Sequence, residues 1–265
     1  MPYKHHLRWP TLLPWILPAL LLLAWSAVSA AQWVPAYLLP SPWDILAAGH
    51  GYIFGTPGQA PYAGRFLGDL RASLLRVLLG FGLAVLLGLP LGILSGRLTR
   101  FQRLVGNTIH AARAVPGIAW LPLALVWFGI GLPATVFLVC LAAFFPIYLN
   151  TAGGARQINP LLYQAGAMLG IGRVRGIFTI LIPAAMPQIV SGLRLGLGIA
   201  WAYLVLGELT GVADGLGAII MDARMLGRID MIMVGIIVIA VMGRLSDDLL
   251  QMLLKLSFKS ARRLP

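Results

Sequence analysis

Few residues of this 265-residue chain carry chemistry, and their spacing limits what chemistry that is. Lys4, Lys255 and Lys259 are its only lysines, and none follows a glycine. With no G-x-x-x-x-G-K-[ST], the chain cannot cradle a nucleoside triphosphate through a P-loop. His5, His6, His50 and His110 have neither H-E-x-x-H nor any similar metal-ligating spacing. No G-x-S-x-G offers a nucleophile. The single cysteine, Cys140, lies in an apolar run, which excludes an intramolecular disulfide and any multi-cysteine metal site. Asp247 and Asp248 stand beside Arg244, and a local ion pair explains them better than acid–base catalysis. What remains are arginines at or within apolar runs, Arg76, Arg113 and Arg194, with Glu208 closing one run. A guanidinium pairs with oxyanions as a fixed fork. An anionic solute would suit such groups, and an enzyme has little to stand on.

The elements that must position these groups are membrane spans. Hydrophobic residues make up 59% of the chain, charged residues 11%, and mean hydropathy is +0.88. A soluble domain carries about 25% charge. The net charge of +12 would suggest nucleic acid only as a patch on a soluble domain. Here it is split into short clusters between apolar runs, as in membrane proteins. Six stretches approach the roughly 20 apolar residues a crossing needs: Thr11–Gln32, Ser73–Ser95, Ile109–Phe128, Pro133–Asn150, Met186–Leu206 and Ile229–Leu250. Arg113 and Pro116 interrupt the start of the third, and Pro146 is placed to kink the fourth. The first resembles a secretory signal, with a basic MPYKHHLRW, an apolar core and VSAAQ. Its length and its tryptophans at 15, 25 and 33 favour a retained span.

Lys and Arg set the orientation. With the N-terminus inside, the inner segments hold Lys4 and Arg8; Arg97, Arg100 and Arg103; Arg156, Arg173 and Arg175; and Lys255, Lys259, Arg262 and Arg263. The outer segments hold Arg65, Arg71, Arg224 and Arg228 together with Asp44, Asp69, Glu208, Asp214, Asp222 and Asp230. Both termini are thus expected in the cytoplasm. Two outer segments are long. In the first, LLPSPWDILAA predicts a short helix capped by Ser41 with Pro42 in its first turn, followed by a loop through GTPGQAPYAG. In the second, GAIIMDARM predicts a short helix at the outer interface. Gly88, Gly92 and Gly96, and likewise Gly192 and Gly196, recur every four residues. Such faces let helix backbones approach closely in lipid, and packing is the expected role.

Ionisable residues inside spans are functional candidates. Arg113, Arg194, Trp201 and Glu208 are the candidates for a solute pathway. The alternative for the arginines is snorkelling to the interface, expected more for Arg76 and Arg113 than for the deeper Arg194. Glu208 is expected to pair with an arginine rather than with an external partner. For Trp201 and Tyr203 packing is the better expectation.

One segment fits neither a span nor a solvated loop. Residues 163–183 read YQAGAMLGIGRVRGIFTILIP. The topology puts this segment between spans four and five, in the cytoplasm. Helix is expected from Pro160 to Leu169, a sharp turn at Gly170 and Gly172, and a second helix from Arg173 that ends at Pro183 and Pro187. Two short helices with an apolar face must pack on the bundle's own base or dock into a partner's groove, and physics alone leaves these two open.

The segment resembles the cytoplasmic loop of importer permeases in the ATP-binding-cassette superfamily, whose pattern is E-A-A, three residues, G, nine residues, I-x-L-P. Here it falls on Gln164-Ala165-Gly166, Gly170, Ile180, Ile182 and Pro183, with the spacing kept throughout. Gln164 replaces a frequent Glu, Gly166 an Ala and Ile182 a Leu. PLALVWFGIG (122–131), FFPIYLNTAGG (144–154), GLRLGLGIAW (192–201), GLGAIIMDAR (215–224) and LPSP (39–42) are similar to the permeases for aliphatic sulfonates, taurine and nitrate. The resemblance covers about residues 38–256. It implies an all-α, six-helix permease of the type I importer fold, a single transmembrane domain over residues 1–265, with a coupling loop at about 156–183. It also implies two separate ATPase subunits that bind ATP and Mg, a second permease copy, most simply identical, and an external binding protein, periplasmic or lipid-anchored. The location would be a bacterial inner membrane. Within the loop, Gly170 would set the turn, Arg173 and Arg175 would meet the ATPase or lipid headgroups, and IFTILIP would transmit motion to span five. The solute expected is a small anion, sulfonates first. The alternatives are the same machinery importing a neutral or heterocyclic nutrient such as a vitamin precursor, and a stand-alone secondary transporter. The latter needs Asp, Glu or His at mid-bilayer, and none is expected there.

Overall fold

A computed structural model describes residues 13–257. The basic segment MPYKHHLRW, the start of the first span at Thr11, and Lys259, Arg262 and Arg263 lie outside the described residues. The described residues are helical and contain no strand. In chain order the helices are α1 (Leu13–Ala30), α2 (Pro42–Phe54), α3 (Phe66–Arg97), α4 (Thr99–Ala114), α5 (Leu121–Phe128), α6 (Leu132–Arg156), α7 (Pro160–Met168), α8 (Arg173–Gly176), α9 (Ile182–Glu208), α10 (Leu216–Met225) and α11 (Ile229–Ser257). Five helical stretches are long and apolar enough to cross a membrane, or six if a bent pair counts as one crossing. That pair is α4 and the segment Gly117–Phe128, which meet at 89°. The third span expected over Ile109–Phe128, interrupted near its start by Arg113 and Pro116, is a broken one that begins at Thr99. The reason is local: Val115 precedes Pro116 and is held extended, and Pro116 cannot continue the ladder of α4.

The chain forms two compact units. The first comprises residues 1–66 and 222–234. Within it, Ser41 caps α2 with a reciprocal box: its hydroxyl accepts from the Asp44 N–H, and the Asp44 carboxylate accepts from the Ser41 N–H at 3.0 Å. Pro42 occupies the first turn, where its missing N–H costs nothing. The Trp25 indole donates to the Pro40 carbonyl at 3.2 Å, tying α1 to the approach of α2.

The second unit comprises residues 67–221 and 235–265. Its centre is α6, packed between α3 and α9. A Cβ built at Gly92 on α3 would lie 2.7 Å from the Thr151 Cβ and 2.9 Å from the Tyr148 carbonyl oxygen on α6. Gly88 stands equally close to Ile147. From the other side, Gly192 of α9 meets Asn150 and Gly196 meets Ile147. The four-residue glycine spacing thus does what it predicts: it brings backbones into contact where lipid supplies no hydrophobic drive between helices. Ile147, Ala143, Val139, Leu197 and Leu204 fill the seam and are buried. Tyr148 donates to Ser95 Oγ at 2.8 Å, satisfying two buried hydroxyls between α3 and α6.

Candidate functional site

Three features of the second unit carry the chemistry. The first is the segment between α6 and α9. Asn159 caps α7, its side chain accepting from the Leu161 N–H at 2.9 Å, and Pro160 begins the helix. The helix stops at Gly170, whose φ of +76° is left-handed. The Gly170 N–H returns to the Ala167 carbonyl at 3.0 Å and the Ile171 N–H to Gly166 at 2.9 Å, closing the carbonyls at the helix end. Gly166 is buried, and a Cβ there would lie 2.5 Å from Cδ1 of Ile180. Gly166 and Ile180, fourteen positions apart in sequence, therefore pack together. Gln164, Ala165 and Arg175 are exposed, whereas Ile182 and Pro183 are half-buried. Arg173 is the first residue of α8. Around the turn, Met168, Leu169, Val174 and Phe178 are all more than 65% exposed, an apolar surface that the described residues leave uncovered.

The second helix does not end at Pro183 and Pro187 as expected. Val174–Glu208 runs as one 35-residue helix. Ile177–Leu181 forms a π turn just before Pro183, and this widened turn sits where a proline would otherwise disrupt an α-helical ladder. At the other end, the Arg97 guanidinium lies 3.9 Å from the centre of the Tyr163 ring, joining the end of α3 to α7. Burial pushes the Tyr163 phenol above its ordinary value, with Arg97 pulling the other way.

The second feature is a buried ionic cluster at the far end of α9. Glu208 is completely buried. It accepts from Arg76 Nη1 at 2.8 Å, from Ser73 Oγ at 2.7 Å and from the Gly217 N–H at 2.8 Å. Arg76 also donates to the Asp214 carbonyl at 2.8 Å and to its carboxylate at 2.5 Å. The Gly215 N–H donates to Asp69 at 3.1 Å and the Leu216 N–H to Ser73 at 2.8 Å. The start of α10 is thus pinned onto α3 and α9. Arg76 does not snorkel: it is 6% exposed and paired twice. Glu208 pairs with an arginine, as its position implies.

The third feature concerns the remaining candidates. Arg194, near the middle of α9, does not snorkel either. It forms a fork on Asp247 of α11, with Nε to Oδ1 at 2.8 Å and Nη2 to Oδ2 at 2.7 Å. Arg244 pairs with Asp248 at 3.0 Å, so the local ion pair expected for the two aspartates holds for Asp248 alone. Asp247 lies about two-thirds of the way along α11. Trp201 is 4% exposed and donates to Ser246 Oγ at 2.8 Å, a packing residue. Arg113 differs from all of these. It lines a cavity of about 320 Å³ with Gly117, Trp120, Phe145, Ile199 and Tyr203. Trp120 and this cavity were not legible in sequence, because the break at Pro116 creates them. Among the described residues, no three His, Cys, Asp or Glu side chains are grouped as metal ligands would be.

An all-helical chain with five or six crossing-length helices, a broken span and internal ion pairs is a multi-pass membrane protein. It belongs to the family described as the binding-protein-dependent transport system inner membrane component, whose profile matches residues 88–255. It is 36% identical to a Bacillus subtilis protein named as the aliphatic sulfonates transport permease SsuC, over 90% of this chain and 83% of that one. It is 33% identical to the Escherichia coli taurine transport system permease TauC, over 86% and 82%. To the Synechocystis nitrate import permease NrtB it is 31% identical, over 88% and 84%. In fold it is similar to a chain of the MetNI methionine ABC transporter, solved in inward-facing conformations, with a TM-score of 0.57 at 21% identity. That match covers 69% of this chain and 93% of the other.

Proposed function

We propose that the chain is the membrane permease of an ATP-driven importer for a small anion, of which aliphatic sulfonates and taurine are the leading class. The relatives named for sulfonates, taurine and nitrate support the solute class. The observation that carries the mechanism is the exposed apolar turn at 168–178, joined without interruption to a helix that reaches Glu208. Such a turn fits a groove on a separate ATPase, and this chain has no P-loop of its own. Two ATPase subunits would hold ATP and Mg; their closure would push on the turn. The rod from Val174 to Glu208 would carry that displacement to the ionic cluster, and Arg97 on Tyr163 would carry part of it to α3. Gln164, Ala165, Gly166, Gly170, Arg173, Arg175, Ile180, Ile182 and Pro183 are the coupling residues in this reading. A second, identical copy would complete the pathway, and an external binding protein would deliver the solute. The chain would act as one permease domain with six crossings, α4 and the segment after it making one of them, and both termini in the cytoplasm.

The test is co-purification of the tagged chain with a candidate P-loop ATPase, using native protein and Gly170→Val. A β-branched residue cannot adopt the left-handed turn without strain. Retention by the native chain and loss in a variant that still elutes as a folded species supports the docking role. No retention under any mild condition would sink it.

A further inference from the structure

Of the three arginines at or within apolar runs, two are paired with carboxylates among the described residues. Arg76 holds Glu208 and Asp214, and Arg194 holds Asp247. Arg113 is exposed, and among the described residues its guanidinium has neither an ion-pair nor a hydrogen-bond partner. Its place makes this matter. It is the next-to-last residue of α4, two positions before the break. The opposite wall of its cavity is formed by Phe145, Pro146 and Leu149, around the middle of α6. An unpaired cation that shares a cavity with the middle of a crossing-length helix calls for an anion.

The rest of the cavity describes that anion. Trp120 is one of the cavity's lining residues, and its buried indole N–H has no acceptor among the described residues. Among the described residues, no acidic side chain lines the cavity. The other walls are mainly apolar, including Phe145, Leu149 and Ile199. At about 320 Å³ the cavity sits at the lower end of small-molecule sites. Gly117 shapes it, since a Cβ there would overlap the Tyr203 hydroxyl.

We propose that this cavity binds the transported solute within the permease, as an oxyanion with a short alkyl chain: the head on Arg113 and the Trp120 N–H, the chain against Phe145, Leu149 and Ile199. This rests on the importer reading and adds to it that the permease itself selects among solutes. Oxygen acceptors spread over a sulfonate suit a guanidinium fork and a neighbouring N–H. A cation or a neutral alcohol leaves the guanidinium unpaired. The same chemistry could be met by an anionic lipid headgroup, and the experiment separates the two.

The full chain is placed in phosphatidylcholine nanodiscs and titrated by equilibrium dialysis with methane-, butane- and hexanesulfonate, butanol and butylammonium. Saturable binding of one sulfonate per chain is expected, tightening about fourfold per methylene until the cavity is full. Butanol and butylammonium should not bind. Arg113→Gln should weaken binding roughly tenfold or more. Trp120→Phe, which keeps an aromatic ring and removes the donor, should weaken it a few fold. Absence of saturable binding, or equal binding by wild type and both variants, overturns the proposal. Displacement of sulfonate when phosphatidylglycerol is added overturns it too, by identifying a lipid as the occupant. Uptake by the complete complex is measured in parallel. Uptake that is the same in wild type and Arg113→Gln overturns the site and leaves the importer standing. Binding as described without any uptake supports the site and overturns the importer.

Discussion

The cluster around Glu208 allows a quantitative forecast. Replacing Glu208 with Met removes the acceptor of Arg76, Ser73 and the Gly217 N–H at a site that water does not reach. Breaking a buried ion pair from one side costs about 3–5 kcal/mol, because the other charge is left uncompensated. Arg76 keeps Asp214, whose side chain is 57% exposed, so the low end applies, about 3 kcal/mol. Arg76→Met leaves the buried carboxylate with hydrogen bonds but no adjacent cation, a loss of similar size. Removing both charges at once should cost less than either alone, since two apolar side chains of similar length can fill the space. The assay is thermal unfolding in mild detergent, followed by tryptophan fluorescence. At about 2–4 °C per kcal/mol for a chain of this size, each single variant should melt roughly 6–12 °C below wild type. The double variant should melt above both, a coupling larger than about 3 kcal/mol. Additive losses would refute the reasoning, since they would mean that Arg76 and Glu208 contribute independently.

Other outcomes follow from the packing. Gly92→Leu should prevent α3 and α6 from closing and abolish a monodisperse folded species on size exclusion, since the first side-chain atom already meets Thr151. Gly82→Ala, on the same helix with nothing within 4 Å, should be neutral or should raise the melting temperature by the roughly 1 kcal/mol that alanine gains in a helix. Arg194→Gln should leave Asp247 as a carboxylate without its fork and lower the melting temperature, whereas Arg194→Gln with Asp247→Asn should recover part of the loss. Arg97→Ala should remove the contact with Tyr163, worth about 0.5–1 kcal/mol, and reduce stimulation of the ATPase more than it reduces ATPase retention.

Periodic and local signals were the legible ones. Ser41 and Pro42 announced α2 because capping is a matter of a few neighbouring residues. Glycines every four residues announced the α3–α6–α9 seam, since that spacing exposes one face of a helix to its neighbour. The loop pattern placed the turn at Gly170, where φ is indeed positive. Long-range pairing was not legible. Arg76 and Glu208 are 132 residues apart, and Arg194 and Asp247 are 53 apart. Considered singly, Arg76 looked like a snorkelling side chain near a helix end and Arg194 had no named partner, because sequence does not say which carboxylate faces each. Proline misled in both directions. Pro116 ends α4 and turns the chain through 89°, while Pro183 and Pro187 sit in an unbroken helix. The difference lies in the context: a π turn precedes Pro183, whereas the residue before Pro116 is extended.

The most direct measurement is solute uptake into proteoliposomes containing this chain with its ATPase partner, a binding protein loaded with taurine or butanesulfonate outside and ATP inside. The account predicts accumulation that requires the ATPase, ATP and the binding protein together, and that disappears in Gly170→Val. Accumulation by this chain alone, driven by an ion gradient without ATP, would contradict it.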